Sequence, residues 1–438
     1  MKHKRLAVIG LGTATAAVSV LIGRGFHEAA PDPSPAAAGQ PSEHRAATDA
    51  ITQAITTAQA ALKDTPDDAT QWATLGSAYV EQGRATADPS YYPKADGALH
   101  KSLTLSPDQN LQAMVGMGML TNARHDFAAA QGWAGKALTF DPDNATAVGI
   151  LVDADTQLGD YDAATTAAQR MLNLQPGVAS FTRASYDAEQ HGHDAIAAEA
   201  LRRALGDATA PADVAFCHHY LGELAFNAGD PTTALREYRQ GLHDDPGYTP
   251  ALASAAKAET ALGDTAGALR DYAEATARLP LPQYVLEYGE LLQSLGRTSD
   301  ATAQYALLDG EQKLFAANGV LDDLTTAQVL ADHGDPVQAV DHARAEWGRR
   351  HSVLVADALA WALHKAGNDN EALAYARQAA ALGWHNATFD YHRGAIEAAL
   401  GMTAVARADL TTALSTNPYF SPLHVPQAKA LLARLGPS

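Results

Sequence analysis

The stretch from Leu221 to Pro246, LGELAFNAGDPTTALREYRQGLHDDP, reads as a helix, a bend and a second helix. Leu221 and Gly222 lie on the first helix and Gly229 marks the bend. Ala234, Tyr238 and Leu242 recur every four residues, so they share one side of the second helix. Pro246 closes the unit, because proline lacks an amide donor and disfavours helix in the residue before it.

The same punctuation runs outward in both directions. Closing prolines fall at Pro66, Pro107, Pro142, Pro176, Pro211, Pro246, Pro280 and Pro418, with steps of 41, 35, 34, 35, 35 and 34 and a last gap of 138. That last gap divides into four units of about 34.5, so the phase continues where the prolines are missing. Bend glycines keep the same time at Gly159, Gly192, Gly229, Gly263, Gly296, Gly334, Gly367 and Gly401. The one long step reads as a local insertion over 85–91. Between the markers the apolar residues keep helical spacing, as in Leu359 and Leu363 followed by Ala372, Ala376 and Ala379. Each unit is therefore expected to be an antiparallel helix pair. Stacked pairs bury their apolar faces on one another, which lets 438 residues fold without the single core that stops growing at roughly 250–300 residues.

Composition agrees with packed helices. Hydrophobic residues make up 47%, much of it alanine, and aromatics only 7%, which suits close helix approach better than a bulky globular centre. With 31 basic against 50 acidic residues the formal net charge is −19, which repels phosphate backbones and argues against a nucleic-acid partner. The acids are scattered, as befits solvated helix faces and helix N-termini. A single cysteine, Cys217, excludes any intramolecular disulfide and leaves the redox compartment open.

In kind and spacing these units resemble the tetratricopeptide repeat family, whose first helix carries a bulky residue, a Leu-Gly pair and a Tyr, and whose second carries Ala, an aromatic and Ala before the closing Pro. Trp72, Leu75, Gly76 and Tyr79 match in the first unit, Leu221 to Pro246 in the fifth, and Leu359, Gly367, Ala372, Ala376 and Ala379 in a later one. The second unit has Met114, Met117 and Gly118 but no first-helix aromatic, the fourth, over 181–205, is degenerate, and the second helix of the seventh is expected to run on towards Phe315. The run Ala54, Ala58, Ala61, Leu62 reads as a lone second helix before the first full unit. The resemblance implies an all-α, right-handed superhelical solenoid of about nine or ten units over 49–418, closed by a capping helix within 419–438.

It also implies where a partner would lie. In this family the first helices line the concave face, where peptides or partner helices bind. The candidate groove residues are then Phe216, His219, Glu223 and Phe226 in the fifth unit, and Asp357, Trp361 and His364 in the ninth with Tyr391 on the next first helix beside Trp361. Trp and Tyr flanked by polar groups have the composition of an interface hot spot. The Lys and Asn clamp with which some members hold the C-terminal carboxylate of heat-shock chaperones is missing, since the first unit has Ala73 and Ser77 there.

The N-terminus reads as a targeting segment. Lys2, Lys4 and Arg5 precede 18 uncharged residues from Leu6 to Gly23, then Arg24 and a Pro/Ala-rich tract. As a helix that stretch spans roughly 27 Å, near the thickness of a bilayer's hydrocarbon layer. Residues 1–24 are expected to be a cleaved signal or an uncleaved anchor, 25–48 a disordered linker, and everything after Arg24 to lie outside the cytoplasm, anchored or secreted. The slight preference is for an anchor, because the nearest good cleavage pattern, Ala36 to Ala38, lies well past the apolar stretch.

No catalytic or metal constellation stands out. Cys217, His218, His219 and Glu223 are close in sequence but no second Cys/His pair follows at zinc spacing, and His191, His193 and Asp194 read as a polar bend. Asp141, Asp143 and Asn144 lack the closing Glu of a calcium loop, and Asn144 reads as a helix cap. The expectation is a non-enzymatic scaffold without cofactor or metal that binds protein or peptide partners on its concave face. The alternative is an accessory or chaperone-like subunit for a secreted or membrane enzyme.

Overall fold

A computed structural model describes residues 43–436, which form 22 helices and no strand. The expected targeting segment 1–24, and all of the expected linker except 43–48, lie outside the described residues. Among the described residues no helix is long and apolar enough to cross a membrane.

Helix α1 (Glu43–Asp64) is a lone second-type helix that begins six residues earlier than the pattern implied. Ten hairpins follow. They are α2 (Ala69–Thr86) with α3 (Tyr91–Leu105), α4 (Leu111–Ala123) with α5 (Phe127–Phe140), α6 (Ala145–Leu158) with α7 (Tyr161–Leu174), α8 (Val178–Gln190) with α9 (Asp194–Asp207), and α10 (Pro211–Asn227) with α11 (Pro231–Asp244). Then come α12 (Thr249–Leu262) with α13 (Thr265–Arg278), α14 (Pro282–Ser294) with α15 (Thr298–Ala317), α16 (Asp323–His333) with α17 (Pro336–Trp347), α18 (Val353–Lys365) with α19 (Asp369–Ala379), and α20 (Ala387–Ala399) with α21 (Thr403–Thr416). A last helix, α22 (His424–Arg434), closes the array. It buries Val425 and Ala428 against the C-terminal core with Leu431, Leu432 and Leu435 beside them, and leaves Lys429 and Arg434 in water.

Local chemistry explains the boundaries. Asp68, Asp126, Asp230, Asp264, Asp322 and Asp335, with Asn144, accept hydrogen bonds from otherwise free amides at helix N-termini, so part of the chain's acidity is capping. Most of the periodic prolines stand two residues after a second helix, but Pro211 does not: it is the first residue of α10. The reading of Pro211 as a closing residue is corrected by the same physics, because the first turn of a helix has no use for the missing amide. Within hairpins, small residues meet large ones. A Cβ on Gly222 would lie 2.3 Å from the Tyr238 ring, so only glycine lets α10 and α11 approach this closely.

Consecutive first helices touch, as in α2 with α4, α10 with α12 and α18 with α20, whereas consecutive second helices share no comparable contact. First helices therefore form the inner wall of the curve. The curve is tight enough that the chain meets itself, and the bend inside each of the first five hairpins rests on the linker that follows the hairpin five places on. Ala87 packs with Leu279 and Leu281. The Leu321 amide donates to the Arg124 carbonyl at 2.9 Å, and the His351 amide to the Leu158 carbonyl at 3.0 Å. His385 Nδ1 lies 2.8 Å from Asp194 Oδ2, and Gly229 faces Thr416 and Pro418. At the fourth contact Gly192 has φ +70, and a Cβ there would sit 2.5 Å from the Gly383 carbonyl oxygen, so side-chain sterics and backbone conformation both demand glycine.

Three features that read as irregularities or loops are parts of this seam. The insertion over 85–91 carries Ala87 to the first contact. The long α15 brings Phe315, with Val320, into the apolar cluster of Val80, Tyr92 and Leu120, so the extension joins the two turns of the coil. The bend holding His191 and His193 abuts the 383–385 linker. At the centre of the seam Arg350 is buried, bonded to Glu346 of α17 and Gln157 of α6, with its guanidinium 4.9 Å from the Phe127 ring centroid.

Candidate partner-binding site

The inner wall is built from side chains that successive first helices present to the axis of the coil. In the fifth hairpin Phe216 is buried beneath Tyr220, their ring centroids 4.6 Å apart. One turn on, His219 is wedged among Tyr220, Tyr238 and Tyr248. Burial pulls its pKa down to about 4 against the opposing charge of Glu223, so the ring is neutral at physiological pH. Glu223 accepts from Tyr238 Oη at 2.6 Å and from Lys257 Nζ of the next first helix at 2.7 Å. Burial works to raise its pKa, but the Lys257 ammonium, with His219 and the Tyr238 hydroxyl, outweighs it and holds the carboxyl at about 2. The same ammonium stands 4.7 Å from the Phe226 ring centroid. Burial, aided by Glu223 and Asp194, raises the neighbouring Glu189 to about 7 against the hydrogen bond from Asn227.

The C-terminal half of the wall is organised around Asp332 of α16. Its Oδ1 accepts from Trp361 Nε1 at 3.0 Å and Lys365 Nζ at 3.2 Å and lies 3.3 Å from His424 Nε2 of α22. Burial opposes ionisation of Asp332, yet His424, with Lys365 and His392, keeps its carboxyl far below the usual range, and in return Asp332 raises the His424 pKa against its own burial. Trp361 stacks on His392 with centroids 4.0 Å apart, and Asp357 holds His392 Nδ1 at 3.0 Å through both oxygens. Tyr391 stands 5.5 Å from Trp361 and bonds to Gln427 of α22, while His364 pairs with Asp369.

The eight residues expected in a groove thus fall into two networks, one in hairpin five and one across hairpins nine and ten. Trp361 and Tyr391 are neighbours, but they are 4% and 3% exposed. Phe216, Phe226 and Asp357 are also buried, and only His219, Glu223 and His364 keep intermediate exposure. The physical reason is neighbour packing: α16 on one side and α20 and α22 on the other close over the rings in one cluster. An exposed hot spot at Trp361 and Tyr391 is therefore corrected to a packed polar and aromatic core. Sequence reasoning passed over Lys257 and Asp332, which fix Glu223 and Trp361; neither stands in a motif position. It also took Trp72 and Tyr79 only as repeat packing, yet both are half-exposed, and they line an open depression of about 470 Å³ beside α1.

Among the described residues no group of three or more His, Cys, Asp or Glu side chains is placed to hold a metal ion. Cys217 is fully buried, and burial pushes its thiol up to about 12, which removes it as a nucleophile. His218 lies against α11, its Nδ1 2.9 Å from Glu237.

No protein-family model and no curated protein matches the sequence. Solved structures with a similar fold include yeast Tom70, at 11% identity over 89% of this chain and 93% of that one with a TM-score of 0.36. A tetratricopeptide repeat protein from Parabacteroides merdae is 20% identical over 59% of this chain and 98% of its own, with a TM-score of 0.35. A thermophilic TPR protein from Thermus thermophilus is 16% identical over 40% of this chain and 91% of its own, with a TM-score of 0.34. On its own geometry, ten stacked hairpins in a register near thirty-four residues with first helices inside, the chain is a tetratricopeptide-type repeat solenoid.

Proposed function

We propose that this solenoid is a non-enzymatic binding scaffold of the cell envelope or exterior, and that it holds a protein or peptide partner against the inner wall of hairpins four to seven. The observation that carries this reading is a run of half-buried polar and aromatic groups on consecutive first helices there: Tyr186, Tyr220, Glu223, Lys257, Tyr288 and Glu290. Glu223 and Lys257 fix each other, so the wall offers pre-oriented groups and a partner spends little freedom ordering them. The buried thiol of Cys217 argues against a cysteine nucleophile.

Photocrosslinking in intact cells tests the site. A photoreactive residue at Tyr288, on the wall, should attach a defined partner segment, and one at exposed Ile196 of α9 should not. Equal labelling from both positions contradicts the inner-wall reading. Export rests on the basic and apolar pattern of residues 1–24. In vesicles retaining their native orientation, the described residues should resist protease added from the cytoplasmic side; complete digestion contradicts it.

A further inference from the structure

The N-terminal end of the array is built differently from its interior. Helix α1 has no first-type helix before it among the described residues, so α2 is flanked by α1 and α3, and an open depression of about 470 Å³ lies between those two walls. Its floor is apolar. Leu62, Leu75 and Ala98 are buried beneath it, and Trp72 and Tyr79 lie half-exposed across it. Both rings are fixed by their polar ends, Trp72 Nε1 donating to the Pro66 carbonyl at 2.8 Å and Gln59 Nε2 to Tyr79 Oη at 2.7 Å. Rigid Trp and Tyr over an apolar centre are what a binding hot spot requires, because little side-chain freedom is lost when they are covered.

Charge and backbone narrow the occupant. In a chain with 50 acidic and 31 basic residues, the residues lining this depression include Lys63 and Lys94 and no carboxylate. Both lysines are exposed on the rim, one from each wall. The walls are helices, whose mid-helix amides and carbonyls are already paired, so they offer no edge to which an extended peptide could add its own backbone; a helical ligand brings its backbone already satisfied. In α3 the wall carries Gly97, which is exposed, and a Cβ there would meet nothing within 4 Å. Glycine in a helix interior is unfavourable relative to alanine, and nothing among the described residues requires it at 97. Close approach of a ligand backbone would.

We infer that the depression between α1 and α3 docks an acidic amphipathic helix of a partner protein, its apolar side on Trp72 and Tyr79, its backbone over Gly97 and its carboxylates against Lys63 and Lys94. The residues lining this site lie within 59–98 and none belongs to the inner wall of hairpins four to seven, so substitutions can test the two readings separately.

The test is a displayed library of helix-forming peptides of about 20 residues, with apolar residues at i, i+3, i+4 and i+7 and the remaining positions randomised, selected on the full chain. Enriched peptides should carry net negative charge and gain helicity on binding. They should lose at least roughly tenfold in affinity for Gly97→Tyr, which fills the depression, and for Lys63→Glu/Lys94→Glu, which reverses its rim. The double variant alters only exposed side chains and should melt with the unaltered chain. A library without binders, enrichment of neutral or basic peptides, or affinities indifferent to both variants overturns the proposal. So does a dimer that Gly97→Tyr converts to monomer, which would give the depression to a second copy of this chain.

Discussion

Two Trp and Tyr pairs sit on first helices of this solenoid, and they have opposite surroundings. Trp361 and Tyr391 stand in consecutive hairpins near the C-terminus, where α16 and α22 close over them and Asp332 ties Trp361 to the final helix. Trp72 and Tyr79 stand in the first hairpin, half-buried on Leu62, Leu75 and Ala98 and open on one side to the depression beside α1. The residue type is the same; the difference comes from which first helices flank it. Trp361 has first helices on both sides, α16 before it and α20 and α22 after it, whereas among the described residues α2 is preceded only by α1.

That contrast makes unequal predictions. Trp361→Ala should have the largest effect, about 3–5 kcal/mol from the cavity and the lost bond to Asp332, read by denaturant unfolding. A stable variant that merely failed to bind a partner would return Trp361 to the role of an exposed contact. Arg350→Ala should cost about 2–3 kcal/mol, because it removes one of the two guanidinium groups that hold the buried Glu346, leaving Arg349 alone, and cuts the tie to Gln157. Its damage should also spread to hairpin three, and exchange protection that falls only in α17 and α18 would show the seam to be incidental.

The two ends should also answer differently to pH. The folded-state pKa of His424 is raised, chiefly by Asp332 acting against burial, so its contribution is fully present below the ordinary imidazole value near 6.5. It is lost as pH rises through the raised value. Asp332 is depressed, so its share is present above the ordinary carboxylate range and lost only in strong acid. Docking of α22 should therefore weaken as pH rises above about 6.5 and through the raised value, and His424→Gln should remove that decline. Protection of α1 and α2, measured in the same exchange experiment, should stay level, since Trp72 and Tyr79 are held by neutral hydrogen bonds. At the N-terminal end effects shrink. Trp72→Ala should cost about 1 kcal/mol, far less than its C-terminal counterpart, since much of the ring is already in water. Gly97→Ala should stabilise the chain by up to about 1 kcal/mol, and a loss instead would mean that the depression is filled.

The hairpins were readable because their causes are local. Bend glycines such as Gly263, capping residues such as Asn144 and the prolines two residues past second helices each act within a turn or two of themselves. The expected helices and their register follow from these alone. Pro211 shows the limit: a proline marks a helix boundary without saying which side of it is helical. The seam left only indirect traces. The bond from His351 to Leu158 joins positions with no shared motif, and the insertion over 85–91 and the extended α15 looked like damage to the repeat because the surfaces they meet lie many hairpins away. For the candidate site the spacing of Asp357, Trp361 and His364 correctly put them on one side of a helix. It could not tell that α22 would cover that side.

Winding of the coil onto itself is best tested at two linker amides, Leu321 and His351, which lie outside helices and donate across the seam to Arg124 and Leu158. In native-state hydrogen exchange both should be protected to nearly the free energy of global unfolding. Exchange of these two amides at the rate of an open loop, while the flanking helices stay protected, would contradict it.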